Sequence, residues 1–289
     1  MDSQMRVLAQ YEKIVRTAEG LEKNKEICQE ALMRIIQAIK EAKEILKLDL
    51  EDEIIALSTQ ALREAKNRDY ILQAIKESTQ ISFRVISEKE ESFITSLAPK
   101  IEVKRISQSV FKYCQDCFLL IDMGGGSSEF VFCQDQRIFA KSFKIGIVRS
   151  KDKYGNIVNL WKHKKEIIAP ILEFILESFK KGIDGKFLVA NSGTPTSVCV
   201  MKFGLEFYEH QKYHGIELKR SDFQEQLERF LHLPYEEKIS LFGIFQIDVI
   251  PFGISLFLMF MEALKFEEVL VIDKGLREGA VIGRIEGIF

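Results

Sequence analysis

Apolar and polar residues follow two spacings along the chain, and each spacing predicts a kind of element. Between positions 24 and 46, apolar residues recur about every 3.6 positions, as on the buried face of an amphipathic helix. Short apolar runs bounded by turns are typical of buried strands; they lie at 54–57, 82–86, 118–121, 130–132, 186–190 and 268–272. Further helices are predicted at 58–67, 67–78, 88–97, 164–181, 221–231, 235–241 and 248–264 and after 273. Strands that alternate with helices predict an α/β fold.

The longest apolar stretch, 249–261, predicts a buried helix rather than a membrane span. It is interrupted by proline, glycine and serine and falls short of the roughly 18 apolar residues that a span needs. A length of 289 residues allows two domains with a cleft between them. Because the net charge is only −2 with both signs interspersed, no nucleic-acid partner is expected. Five scattered cysteines and the lack of a secretory apolar core at the N-terminus favour a cytoplasmic protein.

The stretch FLLIDMGGGSSEFVF, 118–132, predicts a strand, a glycine turn and a second strand. Gly124, Gly125 and Gly126 have no Cβ, so their backbone can take positive φ values and their N–H groups can approach a bulky anion closely. A glycine triplet by itself is equally typical of a tight hairpin. The residues on either side of the triplet favour a phosphate site.

Those flanking residues carry the chemistry that a phosphate site needs. Asp122 and Glu129 could hold a hydrated Mg²⁺ beside the phosphates, and Ser127 and Ser128 supply hydroxyl donors. A second strand follows the turn, whereas a helix would follow a P-loop or a dinucleotide-binding loop. The turn is therefore predicted to belong to a different class of phosphate loop.

Three other segments could line the same cleft. Arg63 lies one turn inside the helix that follows the first strand, although a solvated arginine at an ordinary helix start is the simpler interpretation. The acids of EKEES, 88–92, are typical of a solvated helix face, but one carboxylate in a cleft could take a proton from water. Gly193 and Thr194, in NSGTPTS after another strand, lie at a potential anion or ribose site.

Seven segments resemble, in order, the landmarks of the exopolyphosphatase/guanosine pentaphosphate phosphohydrolase family: STQALREAKN, VISEKEES, LLIDMGGGSSEFVF, FKIGIVR, VANSGTPTS, IDVIPFG and VIDKGLREG. The resemblance implies an α/β protein of the two-domain actin-like ATPase (ribonuclease H-like) superfold. Each domain would be a mixed sheet flanked by helices, with a cleft between the domains. It also implies a Mg²⁺-dependent enzyme that removes terminal phosphate from inorganic polyphosphate or guanosine pentaphosphate.

The resemblance assigns a role to each matching residue. Glu91 corresponds to the acid that activates the attacking water, and Arg63 to a phosphate-binding arginine. Asp122 and Glu129 correspond to metal-associated acids, and 124–127 to the phosphate loop. Arg277, in the GLREG string, is expected to be structural.

Domain I is expected to span 1–115 and to be completed by the C-terminal helix, 277–289; domain II is expected to span 116–276. Exposed sheet edges and the family resemblance favour a homodimer.

Two departures from the family pattern keep other functions open. Glu88 and Ser92 replace residues that are usually Gly and Ala. The family's first phosphate loop, Asp-x-Gly-Ser-x-Ser, has no counterpart, and 5–21 resembles the strand after that loop. Either the first hairpin of domain I is absent or the chain starts downstream of it. A phosphohydrolase is favoured; a nucleotide- or polyphosphate-binding regulator that has lost hydrolysis is the alternative, and a kinase of the same superfold is less favoured.

Overall fold

The computed structural model describes residues 7–49, 52–107, 117–135, 137–204, 210–244 and 246–288. The strands are β1 (Leu57–Ser58), β2 (Arg84–Val85), β3 (Cys117–Met123), β4 (Ser128–Gln134), β5 (Arg137–Phe143), β6 (Leu188–Ala190), β7 (Glu217–Lys219) and β8 (Glu268–Val271). The helices are α1 (Leu21–Asn24), α2 (Gln29–Ile45), α3 (Gln60–Glu64), α4 (Arg68–Thr79), α5 (Glu88–Ser107), α6 (Ile147–Tyr154), α7 (Ile157–Lys162), α8 (Lys164–Lys180), α9 (Gly193–Phe203), α10 (His210–Tyr213), α11 (Arg220–His232), α12 (Tyr235–Phe242), α13 (Ile250–Leu264) and α14 (Leu276–Ile285).

The larger sheet has six strands in the order β5-β4-β3-β6-β8-β7. β3, β4 and β5 form an antiparallel meander, as predicted. β6 and β8 then extend the sheet parallel to β3, and β7 closes it antiparallel to β8. Because β3, β6 and β8 are parallel, their carboxyl ends meet at one edge of the sheet. The glycine turn leaves β3 at that same edge.

The main hydrophobic core lies on one face of this sheet and is built around α13. This helix is apolar on all sides, and residues such as Phe257 and Phe260 are fully buried, as expected for a helix inside a core. No helix in the described ranges is long and apolar enough to cross a membrane. α13 begins two residues later than predicted, with Pro251 in its first turn. Asp248 therefore does not open the helix; it pairs instead with Arg16 and Lys151.

The smaller lobe contains only two strands among the described residues, β1 and β2, which pair in parallel. Helices α2, α3 and α4 pack around them, with Ile71 and Ile75 at the centre of a separate core. The strand predicted at 5–21 is wrong in its described part, because 7–20 contains no regular strand and leads into the short helix α1.

Helix α5 links the two lobes and is longer than predicted. It continues past Leu97, through Pro99, to Ser107. The residues at the expected boundary between domains, 115 and 116, lie outside the described ranges. The division into 1–115 and 116–276 therefore stays a prediction.

Helix α14 packs against α5 beside the small sheet. Ile86 before α5, Ile94 within α5 and Ala280 of α14 share one buried cluster. The two helices approach so closely at Gly279 that a Cβ there would lie 1.9 Å from the carbonyl oxygen of Ile94. Because that neighbour is backbone, it cannot move aside as a side chain would.

We expect Gly279→Ala to destabilise the protein by about 2 kcal/mol or more, because overpacking exceeds the roughly 1 kcal/mol that alanine gains over glycine in a helix. Urea unfolding followed by circular dichroism measures the change. Gly193→Ala is the control, since nothing lies within 4 Å of a Cβ at that first position of α9. Equal stability of Gly279→Ala and the unmodified chain would contradict this packing.

Candidate functional site

Three polar side chains form a row across the carboxyl edge of the large sheet. Asp122 of β3 lies directly opposite Glu129 of β4, and Glu129 lies directly opposite Ser142 of β5. Residues that pair in this way project from the same face, with Cβ atoms roughly 5 Å apart. That face is the one against which α5 packs through Val103.

Glu91, from the first turn of α5, joins this row from the other lobe. Its side chain is buried, and burial raises its pKa, although the adjacent Arg63 guanidinium opposes the rise. Arg63 Nη1 lies 2.6 Å from Glu91 Oε2 and donates also to the carbonyl of Ile86 at 2.9 Å. Its second terminal nitrogen, Nη2, is buried and has no hydrogen-bond partner among the described residues. The arginine therefore retains one donor for a ligand.

The pKa values of Asp122 and Glu129 are both raised. Burial and the charge of Glu91 raise the pKa of Asp122 to about 7. Burial, Glu91 and Asp122 raise the pKa of Glu129 to about 8, against the opposing hydrogen bonds of Ser127 and Ser142. Three carboxylates thus repel one another in a site with little water, and a bound cation would relieve that repulsion.

The arrangement fits a hydrated divalent cation rather than an ion enclosed by protein ligands. Within the described ranges, no three His, Cys, Asp or Glu side chains come close enough together to hold one metal ion. Mg²⁺ usually keeps several waters and takes only one or two carboxylates. Asp122 and Glu129 supply those two, as opposite residues of one strand pair.

The glycine turn is held in a different way from the one expected. Gly124, Gly125 and Gly126 all have negative φ, so the expectation of positive φ is wrong. The amide of Gly124 donates to the carbonyl of Ser127 at 2.9 Å. The N–H groups in the first turn of α6 donate to the other carbonyls of the turn at 3.0 to 3.1 Å. Ile147 donates to the carbonyl of Gly124, and residues 148 and 149 donate to the carbonyl of Gly125.

With its carbonyls directed at α6, the turn keeps amide donors for another partner. Among the described residues, the N–H groups of Gly125 and Gly126 donate no hydrogen bond. Gly125 is exposed, and a Cβ on Gly126 would be in ordinary contact with Gln60 at 3.8 Å. Gly126 therefore lies beside the first turn of α3, and the amides of Gly125 and Gly126 are available to a hydrogen-bond acceptor.

The contact between the glycine turn and α6 requires a fourth glycine, Gly146. A Cβ at Gly146 would lie 2.4 Å from the carbonyl oxygen of Gly125 and 2.4 Å from the carbonyl carbon of Gly126. Arg149 reinforces the contact, since its Nε donates to the carbonyl of Gly126 at 3.0 Å. Arg149 is itself buried. The string FKIGIVR carried the signal, with a glycine and an arginine three residues apart.

The two serines of the turn use their hydroxyl protons within the protein. Ser127 Oγ donates to Glu129 Oε1 at 2.7 Å. Ser128 is fully buried, and its Oγ donates to the carbonyl of Ile145. Contrary to expectation, Ser128 therefore presents no donor to a phosphate in this structure. Successive side chains along a strand point to opposite faces, so the Ser128 side chain lies on the face opposite to that of Glu129.

Gly193 and Thr194 begin α9 directly after β6, at the same sheet edge. Thr194 is buried with its hydroxyl against α13, where a Cβ on Gly253 would lie 2.5 Å from Oγ1. Its side chain is thus directed into the lobe, and the exposed backbone of Gly193 is the part that reaches the cleft.

Asn191, which the sequence reasoning did not single out, lies next to Asp122 across the β3–β6 pair. Together they line a cavity of about 170 Å³ with the loop between β8 and α14, including Lys274 and Arg277. Asn191 Oδ1 and Ser192 Oγ are buried there without a partner among the described residues. The Arg277 side chain is about half exposed and lines this cavity.

Glu64 ties the small lobe to the large one. Its carboxylate pairs with Arg149 Nη2 at 2.5 Å and with Lys144 Nζ at 2.6 Å, both from the segment that follows β5. Burial opposes ionisation, but hydrogen bonds from Lys144, Arg149 and Gln60 outweigh it and lower the pKa of Glu64 to about 2. The same arginine therefore holds both the glycine turn and the opposite lobe.

Comparisons with known proteins agree with this arrangement. The model of the Ppx/GppA phosphatase family matches residues 1–286. A curated relative, the bifunctional 3-dehydroquinate synthase/phosphatase of Fusobacterium nucleatum subsp. nucleatum, is 26% identical over 280 residues. That match covers 94% of this chain and 41% of the relative, so the chain spans about two fifths of the relative's length.

Two solved structures share the fold. A Ppx/GppA family member from Aquifex aeolicus has a TM-score of 0.68 at 23% identity, covering 96% of this chain and 88% of that one. An exopolyphosphatase from Cytophaga hutchinsonii has a TM-score of 0.75 at 23% identity, covering 93% and 87%. The resemblance inferred from the motifs is confirmed, and the expected α/β fold is the one that these solved structures share.

The ion pairs of Glu64 predict a specific dependence of stability on pH. The pKa of Glu64 is about 2 when folded and 4.5 ordinarily, so its contribution is complete above pH 4.5 and is lost as the pH falls towards 2. We expect Glu64→Gln to lower the free energy of unfolding at pH 7 by about 1–3 kcal/mol, and the difference from the unmodified chain to shrink below pH 4.5.

Urea unfolding at a series of pH values measures that difference. Glu177→Gln is the matched control, because the exposed pair of Glu177 with Lys181 should contribute little. A difference for Glu64→Gln that stays constant through acid would contradict the ion-pair explanation.

Proposed function

The chain belongs to the Ppx/GppA phosphatase family, and we propose that it is a Mg²⁺-dependent phosphohydrolase that releases terminal phosphate from inorganic polyphosphate or guanosine pentaphosphate. The observation that carries the proposal is the meeting of Glu91, Asp122 and Glu129 beside the amides of the glycine turn. An acid that can act as a base, a pair of cation ligands and an anion cradle are the three parts that phosphoanhydride hydrolysis requires.

The terminal phosphates would bind between the two lobes. On the large lobe, the N–H groups of Gly125 and Gly126 donate to phosphate oxygens, with the exposed backbone of Gly193 next to them along the sheet edge. On the small lobe, the free Nη2 of Arg63 donates to the same group. Backbone amides and a guanidinium recognise phosphate without reading the rest of the molecule, which suits a polymer of identical units.

Glu91 is the proposed general base. It takes a proton from the water that attacks the terminal phosphorus; the new P–O bond forms as the bond to the bridging oxygen breaks, and the shortened chain leaves. Burial raises the pKa of Glu91 towards the range in which a carboxylate accepts a proton at neutral pH. Arg63, 2.6 Å from this carboxylate, orients it and balances charge on the phosphate.

Asp122 and Glu129 are the proposed ligands of Mg²⁺. A bound Mg²⁺ would neutralise phosphate charge next to the glycine turn. The raised pKa values of both carboxylates, about 7 and about 8, support a role for a cation here, because they reflect repulsion among acids that have no positive partner.

A regulator that binds polyphosphate or nucleotide without hydrolysis is the second candidate. The observation that favours it is the Arg63–Glu91 ion pair, since a base engaged by arginine is less able to take a proton from water. Tight binding of polyphosphate by calorimetry, with no phosphate released over hours, would select this function. Location in the cytoplasm and assembly into a homodimer stay predictions.

Replacing the proposed base tests the chemistry. We expect Glu91→Gln to lower the rate of phosphate release from polyphosphate and from guanosine pentaphosphate by roughly 10²- to 10⁴-fold, because the amide cannot accept the proton. Release is measured colorimetrically with Mg²⁺ present. The neighbouring acid offers a control: Glu90 caps the start of α5 through Ser87 and forms a half-exposed pair with Arg84, so Glu90→Gln should retain its rate. Full activity in Glu91→Gln would rule out this base.

Thermal unfolding tests the cation site without a substrate. We expect Mg²⁺ to raise the unfolding temperature of the unmodified chain, because a ligand that binds the folded state stabilises it. In Asp122→Asn the increase should be much smaller, even though removing a buried charge from the carboxylate cluster should stabilise the metal-free protein. Asp184→Asn, at an exposed pair with Lys186, is the control. An equal Mg²⁺ effect in Asp122→Asn would argue against this site.

A further inference from the structure

Ser142 is the one member of the polar row on the large sheet that the proposed chemistry does not use. It lies on β5, directly opposite Glu129, with its side chain on the face that α5 covers. Its Oγ donates to Glu129 Oε1 at 2.7 Å. Ser127, two residues before Glu129 in the chain, donates to that same oxygen, also at 2.7 Å.

Because both hydroxyls donate to the same oxygen, the two oxygens of the Glu129 carboxylate differ in their hydrogen bonding. Each carboxylate oxygen has two lone-pair positions, so Oε1 is saturated by its two donors. No donor among the described residues reaches Glu129 Oε2. Of the two oxygens, Oε2 alone is left for a cation.

The two hydroxyls hold Glu129 from two different segments. Ser127 lies two residues earlier in the chain, and Ser142 lies directly opposite on β5. The hydroxyl of Ser142 therefore ties the Glu129 carboxylate to the neighbouring strand, on the face of the sheet that also carries Asp122.

We propose that Ser142 is a positioning residue that, with Ser127, fixes the Glu129 carboxylate through Oε1 and so directs Oε2 to the cation. The inference rests on the proposed function, in which Asp122 and Glu129 bind Mg²⁺. Groups that orient a metal ligand through hydrogen bonds commonly change metal affinity by about 10- to 100-fold. Ser142 touches neither the cation nor the phosphate; it acts through Glu129.

Calorimetric titration of Mg²⁺ into the full chain, without substrate, tests the inference. Ser142→Ala is expected to weaken Mg²⁺ binding by about tenfold or more, because Glu129 loses one of its two donors. Ser142→Thr keeps the hydroxyl and suits a strand, so its affinity should stay within about twofold of the unmodified value. If only the size of the Ser142 side chain mattered, Ser142→Thr would not retain Mg²⁺ affinity better than Ser142→Ala.

Ser178→Ala is the matched control. Ser178 is a fully buried serine whose hydroxyl donates to the carbonyl of Ile175 within α8, so Mg²⁺ affinity should be unchanged in this variant. Thermal unfolding checks that each variant is folded. If Ser142→Ala does not fold, Ser142→Cys takes its place, since it keeps the shape and has only a weak donor.

The outcomes separate the two claims. If Ser142→Ala binds Mg²⁺ as tightly as the unmodified chain, or if Ser142→Thr loses as much affinity as Ser142→Ala, the positioning role is overturned while the cation site stands. If the unmodified chain binds no Mg²⁺, the proposed cation site fails and the inference fails with it.

Discussion

Three acids held together with little water impose the main constraint on this protein. Asp122, Glu129 and Glu91 come from two lobes; burial raises the pKa of each, and the charge of Glu91 raises the pKa of Asp122 and Glu129 further. Each acid needs a partner to remain in place. Arg63 forms an ion pair with Glu91, and two serine hydroxyls donate hydrogen bonds to Glu129. Asp122 has no such partner among its pKa-determining neighbours, so it depends most on a cation.

The second constraint is the orientation of the glycine turn. A peptide in a turn can present either its carbonyl or its N–H to a cleft, and only the N–H attracts phosphate. Here the first turn of α6 takes up the carbonyls, and Gly146 permits the backbones to approach that closely. Arg149 then connects the same turn to Glu64 of the other lobe. Through this one arginine, the geometry of the glycine turn is coupled to the contact between the lobes.

The chemistry of individual residues was predictable where it depended on local sequence. The strand–turn–strand pattern placed Asp122 and Glu129 opposite each other, because a symmetrical hairpin pairs residues equidistant from its turn. Ser142 and Gly146 were missed, although each lies in a recognisable strand or turn. Their roles depend on the register with β4 and on the approach of a helix to the glycine turn, and both are contacts between segments separated in sequence.

The sequence by itself determined an α/β protein with a glycine turn between two strands and an acid on either side, since apolar periodicity and the spacing of glycines and acids are local properties of the chain. The tertiary structure decided which groups are free to act. It directed the hydroxyls of Ser127 and Ser128 to acceptors within the protein, turned Thr194 towards α13 and left the amides of Gly125 and Gly126 without an acceptor among the described residues. Hydrogen-bond partners and burial depend on what packs against a residue, and residues distant in sequence supply that packing.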